Sequence, residues 1–149
     1  MRTEIRLAES RDLSEIIALY QQLNSDDPLL VNGHDLKVYE QILQREGLEI
    51  FVLEESGRIV STCYLNVIPN LTRSARPYAI IENVVTDQAF RGSGYGKRII
   101  QHAIDFAWQA GCYKVMLMTG SKKESTHAFY RACGFSADEK QAYIVRAPN

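Results

Sequence analysis

With 149 residues, 46% of them apolar, the chain is long enough for one domain with a real core, and no polar tract reads as disordered. Its formal net charge of −1 excludes the broad positive field of a nucleic-acid binder, and its apolar runs are too short and interrupted to span a membrane. The opening MRTEIRLAES is charged and lacks the apolar core of a signal peptide, so a cytoplasmic protein is expected.

Ile5 to Leu7 reads as a first strand. Asp12 followed by Glu15 reads as a capping box, and Leu13, Ile16, Ile17, Leu19, Tyr20 and Leu23 follow at helical spacing. Residues 24–33, with Asp26-Asp27-Pro28, read as a loop. A second helix is expected over 35–45, ended by Gly47. Strands are expected over 49–53 and 58–67, joined by a turn at 54–57. A loop at 69–77 carries Arg73 and Arg76, and YAIIENVVT over 78–86 is the next strand. The spacing of Ile100, Ala103, Ile104 and Ala107 predicts a helix from about 94 to 110. Residues 113–118 form a dense apolar strand, expected at the centre of the sheet. Ser121 and Glu124 suggest a second capping box, and the helix they open ends near Cys133 with Gly134 as its C′ residue. Ala142 to Val145 is expected as a closing strand. No repeat or linker interrupts this order, so one mixed α/β domain over 1–149 is expected.

Cys63, Cys112 and Cys133 are an odd, scattered set with no CxxC pair, which argues for free thiols in or near the core. His34, His102 and His127 are not clustered at metal-ligand spacing, and no metal is expected.

The most informative stretch is FRGSGYGKRI, residues 90–99, with three glycines in five positions between an arginine and a lysine. A glycine loop between a strand and a helix commonly holds phosphate, because the helix N-terminus offers unpaired N–H groups and a partial positive charge. Spacing narrows the choice. A P-loop needs glycine at the position of Arg91 and Ser or Thr after Lys97, where Arg98 stands. A dinucleotide fingerprint read from Gly92 needs glycine at Lys97. What remains is Arg91-x-x-Gly94-x-Gly96 after an apolar strand that carries an acid.

This pattern resembles the GNAT superfamily, the acetyl-CoA-dependent N-acetyltransferases. IRLAESRDLSEIIAL is similar to the family's first strand and helix, YAIIENVVTDQAFRGSGYGKRII to its cofactor motif, and HAFYRACGF to its later FYxxxGF signature. GCYKVML and FYRACGF are also similar to segments of glucosamine-6-phosphate N-acetyltransferases, although TGSKKESTHA between them is longer than expected there. The resemblance implies a central mixed, mostly antiparallel sheet of six to seven strands, flanked by about four helices and splayed between the fourth and fifth strands. It implies direct acetyl transfer to an amine in a ternary complex, with acetyl-CoA as cosubstrate, and a homodimer.

Within that resemblance each residue has an expected role. Glu82 interrupts an apolar strand and is the candidate general base for an amine that is charged at neutral pH. Tyr130 matches the motif tyrosine and is the candidate acid, or hydrogen-bond donor, toward the departing thiolate. The backbone at Val84 and Val85 would pair with the pantetheine arm and supply an oxyanion donor. Arg91, Gly92, Ser93, Gly94, Tyr95, Gly96 and Lys97 would cradle the diphosphate. Lys123 stands where many members have an asparagine that contacts CoA. In the two loops where the family sets acceptor choice, Asp26 and Asp27 would attract a cationic amine, and Arg73 and Arg76 an anionic group on it. A small zwitterionic or anionic amine fits this set. The competing readings are a CoA-binding regulatory module without turnover and an enzyme acting on a protein or peptide amine.

Overall fold

The computed structural model describes residues 2–28 and 33–149, so residues 29–32 of the loop after the first helix lie outside the described residues. The chain divides into two compact units, Met1–Leu117 and Met118–Asn149. Among the described residues no helix is long and apolar enough to cross a membrane.

The first unit is built on a five-stranded sheet whose spatial order follows the chain: β1 (Thr3–Leu7), β2 (Leu48–Glu55), β3 (Arg58–Ile68), β4 (Tyr78–Thr86) and β5 (Val115–Leu117). The first four strands are antiparallel neighbours, and β5 joins β4 in parallel. Helices α1 (Leu13–Leu23) and α2 (His34–Gln44) follow β1, a left-handed turn α3 (Thr72–Ala75) joins β3 to β4, and α4 (Tyr95–Gln109) makes the crossover to β5. One sheet face, with Ile50, Val52, Ile59 and Val85, is buried against Ile16 and Leu19 of α1 and Tyr39 of α2. The other face meets α4. Phe51 packs edge-on against His102 and Phe106, and the Cys63 thiol points at the Ile99 carbonyl, 3.9 Å away. Ile99, Ile100, Ala103 and Ala107 of α4 are fully buried. Each large apolar side chain removed from water this way contributes roughly 1.5–3 kcal/mol. Helix α4 ends in a Schellman motif, with Gly111 at φ +88°, Gly111 N bonding Trp108 O and Cys112 N bonding Ala107 O, both at 3.0 Å.

The second unit holds α5 (Glu124–Ala132). It ends as the sequence expects: Gly134 is the C′ residue, donating to Arg131 O at 2.9 Å, and Phe135 N donates to Tyr130 O at 3.1 Å. The rings of Phe129 and Phe135 both meet Tyr130 edge-on.

Several expectations need correction. Among the described residues the sheet has five strands, not six to seven, and there are five α-helical segments rather than about four. Among the described residues Ala142 to Val145 forms no strand; Tyr143, Ile144 and Val145 are 90%, 75% and 94% exposed. In the order of the strands among the described residues, β5 is the last and not a central one. Neither expected capping box forms. Asp12 instead accepts Arg6 and the Glu9 N–H, and Glu15 accepts the Ile59 N–H of β3 at 2.9 Å. Ser121 Oγ accepts from Lys123 N at 3.2 Å, while Glu124 pairs with Arg131.

Candidate active site

Strand β4 positions most of the candidate residues. Its alternation sends Ala79 and Ile81 into the core and leaves Ile80 and Glu82 on the opposite face. Opposite them on β3 stand Asn66 and Tyr64, in the register Asn66↔Ile80 and Tyr64↔Glu82. With Leu48, Ile68 and Asn83 these residues line an open cleft of about 380 Å³. Glu82 is exposed there rather than buried, which removes the desolvation cost expected of a charge in an apolar strand. Asn66 Nδ2 donates to the Ile80 carbonyl at 3.3 Å, which holds this side chain across the floor shared by β3 and β4. Burial pushes the Tyr64 phenol up, against the lowering effect of Arg45.

Immediately beyond Glu82 the strand breaks register. Thr62 faces Val85 and Tyr64 faces Glu82, so Asn83 and Val84 together oppose Cys63, a bulge. Asn83 takes φ +54°, a conformation that asparagine tolerates better than most side chains. Its side chain hydrogen-bonds with the hydroxyl of Tyr20 on α1, whose phenol burial pushes up to about 12. The pairing of β4 with β5 stops at Ile81↔Leu117, while β4 itself continues to Thr86. The outer backbone edge from Glu82 to Thr86 therefore has no strand beside it among the described residues.

That open edge leads into the glycine loop. Asp87 closes β4 and accepts from Ala89 N at 2.9 Å, and this N–H, before other partners, holds its carboxyl below the usual range. Arg91 Nε donates to the Thr86 carbonyl at 3.1 Å. Gly92 and Gly94 sit at φ +83° and +82°, and a Cβ built on either would meet open space, so backbone conformation rather than crowding requires glycine there. The first backbone bond of α4 runs from Arg98 N to Gly94 O at 3.1 Å. The N–H groups of Tyr95, Gly96 and Lys97 thus have no helical acceptor and face outward from the helix end.

The remaining candidates fall elsewhere. Asp26 and Asp27 are exposed in the turn after α1. Arg73 begins a run of three left-handed residues, Arg73, Ser74 and Ala75, at φ 54°, 62° and 60°, and its guanidinium lies 5.9 Å from the Tyr113 ring centre. Arg76 donates to the Gly111 and Cys112 carbonyls, both at 3.4 Å. Tyr130 and Lys123 belong to the second unit, where Tyr130 is half-buried and Lys123 exposed just ahead of α5. The sequence reading missed Tyr64, Asn66, Asn83 and Lys114. The Lys114 ammonium lies 5.5 Å from the Tyr78 ring centre and 5.2 Å from that of Tyr113. Among the described residues no group of three or more His, Cys, Asp or Glu side chains is placed to hold a metal ion.

A family model described as "Acetyltransferase (GNAT) family" matches residues 16–135. The chain belongs to the GNAT acetyltransferase family. Among its relatives is a glucosamine 6-phosphate N-acetyltransferase of Trypanosoma brucei brucei, 35% identical over 140 residues, covering 93% of this chain and 92% of that protein. Among solved structures, a putative acetyltransferase from Agrobacterium tumefaciens is 47% identical with a TM-score of 0.92, covering 97% of this chain and 99% of that one. The glucosamine-6-phosphate N-acetyltransferase from Arabidopsis thaliana is 28% identical with a TM-score of 0.85, covering 97% and 99%. The GNAT chain is therefore an acyltransferase, and its family uses acetyl-CoA as donor. The residues present fit that donor. A row of unengaged N–H groups ends α4, Lys97 and Arg98 supply positive charge nearby, and two glycines leave the approach open.

Proposed function

We propose that this GNAT enzyme transfers the acetyl group of acetyl-CoA to the primary amine of a small molecule, by direct attack in a ternary complex. The observation that carries this reading is the unpaired edge of β4 from Glu82 to Thr86, which connects the cleft at one end with the glycine loop at the other. Acetyl-CoA brings the thioester, its diphosphate on the main-chain nitrogens of residues 91–97 and its pantetheine arm along Val84 and Val85. Glu82 takes the proton from the incoming ammonium, directly or through a water, and the nitrogen then forms its bond to the acetyl carbon. An N–H at the bulge receives the charge that develops on the carbonyl oxygen. As the carbon–sulfur bond breaks, the Tyr130 hydroxyl supplies the leaving thiolate with a proton or hydrogen bond. Lys123 adds a contact to a CoA phosphate.

The acceptor we favour is an amine that carries hydroxyls and an anionic group, such as an amino sugar phosphate. Tyr64 and Asn66 offer polar atoms to the middle of the cleft. Tyr78, Ile80 and Glu82 share one face of β4, and the Lys114 ammonium lies over Tyr78, four residues or ~13 Å of strand from Glu82. Among the described residues neither Lys114 nor Arg73 is paired with a carboxylate; both are held by aromatic rings. The names of the trypanosomal and plant relatives support the same class. Arg76 and the Asp26-Asp27 pair complete the acceptor surface in this reading. The enzyme is proposed to be a cytoplasmic homodimer over a single domain, consistent with a family match that runs through both compact units.

The test is thiol release from acetyl-CoA across glucosamine 6-phosphate, glucosamine, amino acids, aminoglycosides and a lysine peptide. Turnover is expected to be fastest with glucosamine 6-phosphate, and Lys114→Met is expected to raise its KM more than that of glucosamine. Preference for the peptide would overturn the small-molecule reading. Release with none of them, despite CoA binding, would favour a non-catalytic module.

A further inference from the structure

The glycine loop is gripped from outside by a neighbouring turn. Strands β2 and β3 are joined at Ser56 and Gly57, and the residues on either side, Glu55 and Arg58, face each other across the hairpin. Glu55 is a carboxylate only 8% exposed, and it accepts the hydroxyl of Tyr95, equally buried, the first residue of α4. Arg58 reaches the other end of the loop. Its Nη2 donates to Asp87 Oδ2 at 3.1 Å, and its guanidinium lies 5.4 Å from the centre of the Phe90 ring. Phe90 in turn stacks beside Tyr95, with ring centres 6.5 Å apart. The hairpin tip thus holds Asp87, just before the loop, and Tyr95, within it, where α4 begins. A buried carboxylate next to an anion-binding loop is unfavourable unless its charge is occupied, and the Tyr95 hydroxyl occupies it.

We propose that this hairpin tip is a clamp: Glu55 and Arg58 are positioning residues that fix the distance between Asp87 and Tyr95. They thereby set the affinity of the loop for the diphosphate of acetyl-CoA without touching it. The inference rests on the loop being the diphosphate cradle. Neither residue lies in the FRGSGYGKRI motif, and the link exists only because β2 and β3 bring their turn beside α4.

The experiment compares two acetyl donors on the full chain, acetyl-CoA and S-acetylpantetheine, which lacks the diphosphate. Glu55→Ala and Arg58→Ala are expected to raise the KM for acetyl-CoA about tenfold, the loss of one hydrogen bond to a charged group. They are expected to leave kcat, and kcat/KM with S-acetylpantetheine, unchanged. Glu55→Gln, whose amide oxygen still accepts the phenol proton, is expected to restore most of the acetyl-CoA affinity. The Arg58 side chain is 61% exposed, so its variant tests the clamp even if a cavity at residue 55 unfolds the protein. Equal losses with both donors would reduce the hairpin to general structural support and overturn the proposal. Calorimetry with CoA separates the two levels. No binding by the wild type sinks the cradle reading, and wild-type binding matched by both variants sinks the clamp alone.

Discussion

Glu82 shows how one position can be set by its neighbours rather than by its own chemistry. It stands in the cleft because the alternation of β4 puts Ile81 in the core, and it faces Tyr64 because register places it there. Among the described residues no cation pairs with it, so its carboxylate is available to a substrate ammonium. Glu82→Gln keeps the shape and removes the proposed base, and turnover is expected to fall by about 10²–10⁴. The KM for acetyl-CoA should hold. A pH–rate profile that is the same in wild type and variant would take Glu82 out of the reaction. Tyr130→Phe separates in the same way: kcat falls while CoA affinity holds, or the tyrosine serves packing alone. Asn83, next along the chain, takes the left-handed backbone at the bulge that directly follows the acid.

At the scale of elements, two glycines separate conformation from contact. Gly47 and Gly94 both need positive φ, at +91° and +82°. A Cβ on Gly47 would sit 2.9 Å from the Val67 carbonyl oxygen, whereas one on Gly94 would meet nothing. Gly94→Ala is expected to cost about 1–2 kcal/mol in urea unfolding, the left-handed penalty alone. Gly47→Ala is expected to cost clearly more, since backbone must also move. Equal midpoints for the two variants would refute the assignment. The same distinction between local and distant causes explains what the sequence made legible. The spans of α1 and α4 and the C-terminal end of α5 could be read, because apolar spacing and, in α5, a glycine at C′ act within a few residues. The acid on β4 and the glycine loop were legible as candidates for the same reason, being one continuous stretch. Tyr64 and Asn66 were not, since each meets Glu82 and Ile80 only through the pairing of β3 with β4, and Lys114 was not, since it meets Tyr78 from a segment remote in the chain. The edge position of β5 was also hidden, because a dense apolar run reads as a strand covered on both sides whatever its place in the sheet.

At the scale of the whole molecule, the C-terminal stretch leaves Tyr143, Ile144 and Val145 largely in water, and Leu71 and Met118 are 92% and 57% exposed. Large apolar side chains left this exposed in one short run, Tyr143-Ile144-Val145, are candidates for an interaction site. In the proposed homodimer these residues are covered by the second copy. Light scattering on the purified chain is expected to give twice the chain mass, and Ile144→Asp to shift it toward one chain. A wild-type protein that stays at single-chain mass at micromolar concentration would remove the dimer.

All three sulfhydryls lie inside the protein, and burial pushes the Cys63 thiol up to about 12. A colorimetric disulfide reagent added to the native enzyme therefore reports the coenzyme sulfur set free at each turnover and leaves the protein's own sulfur silent. Should that silence fade on warming or in mild denaturant, the slow rise in signal becomes a clock for the opening of the sheet itself.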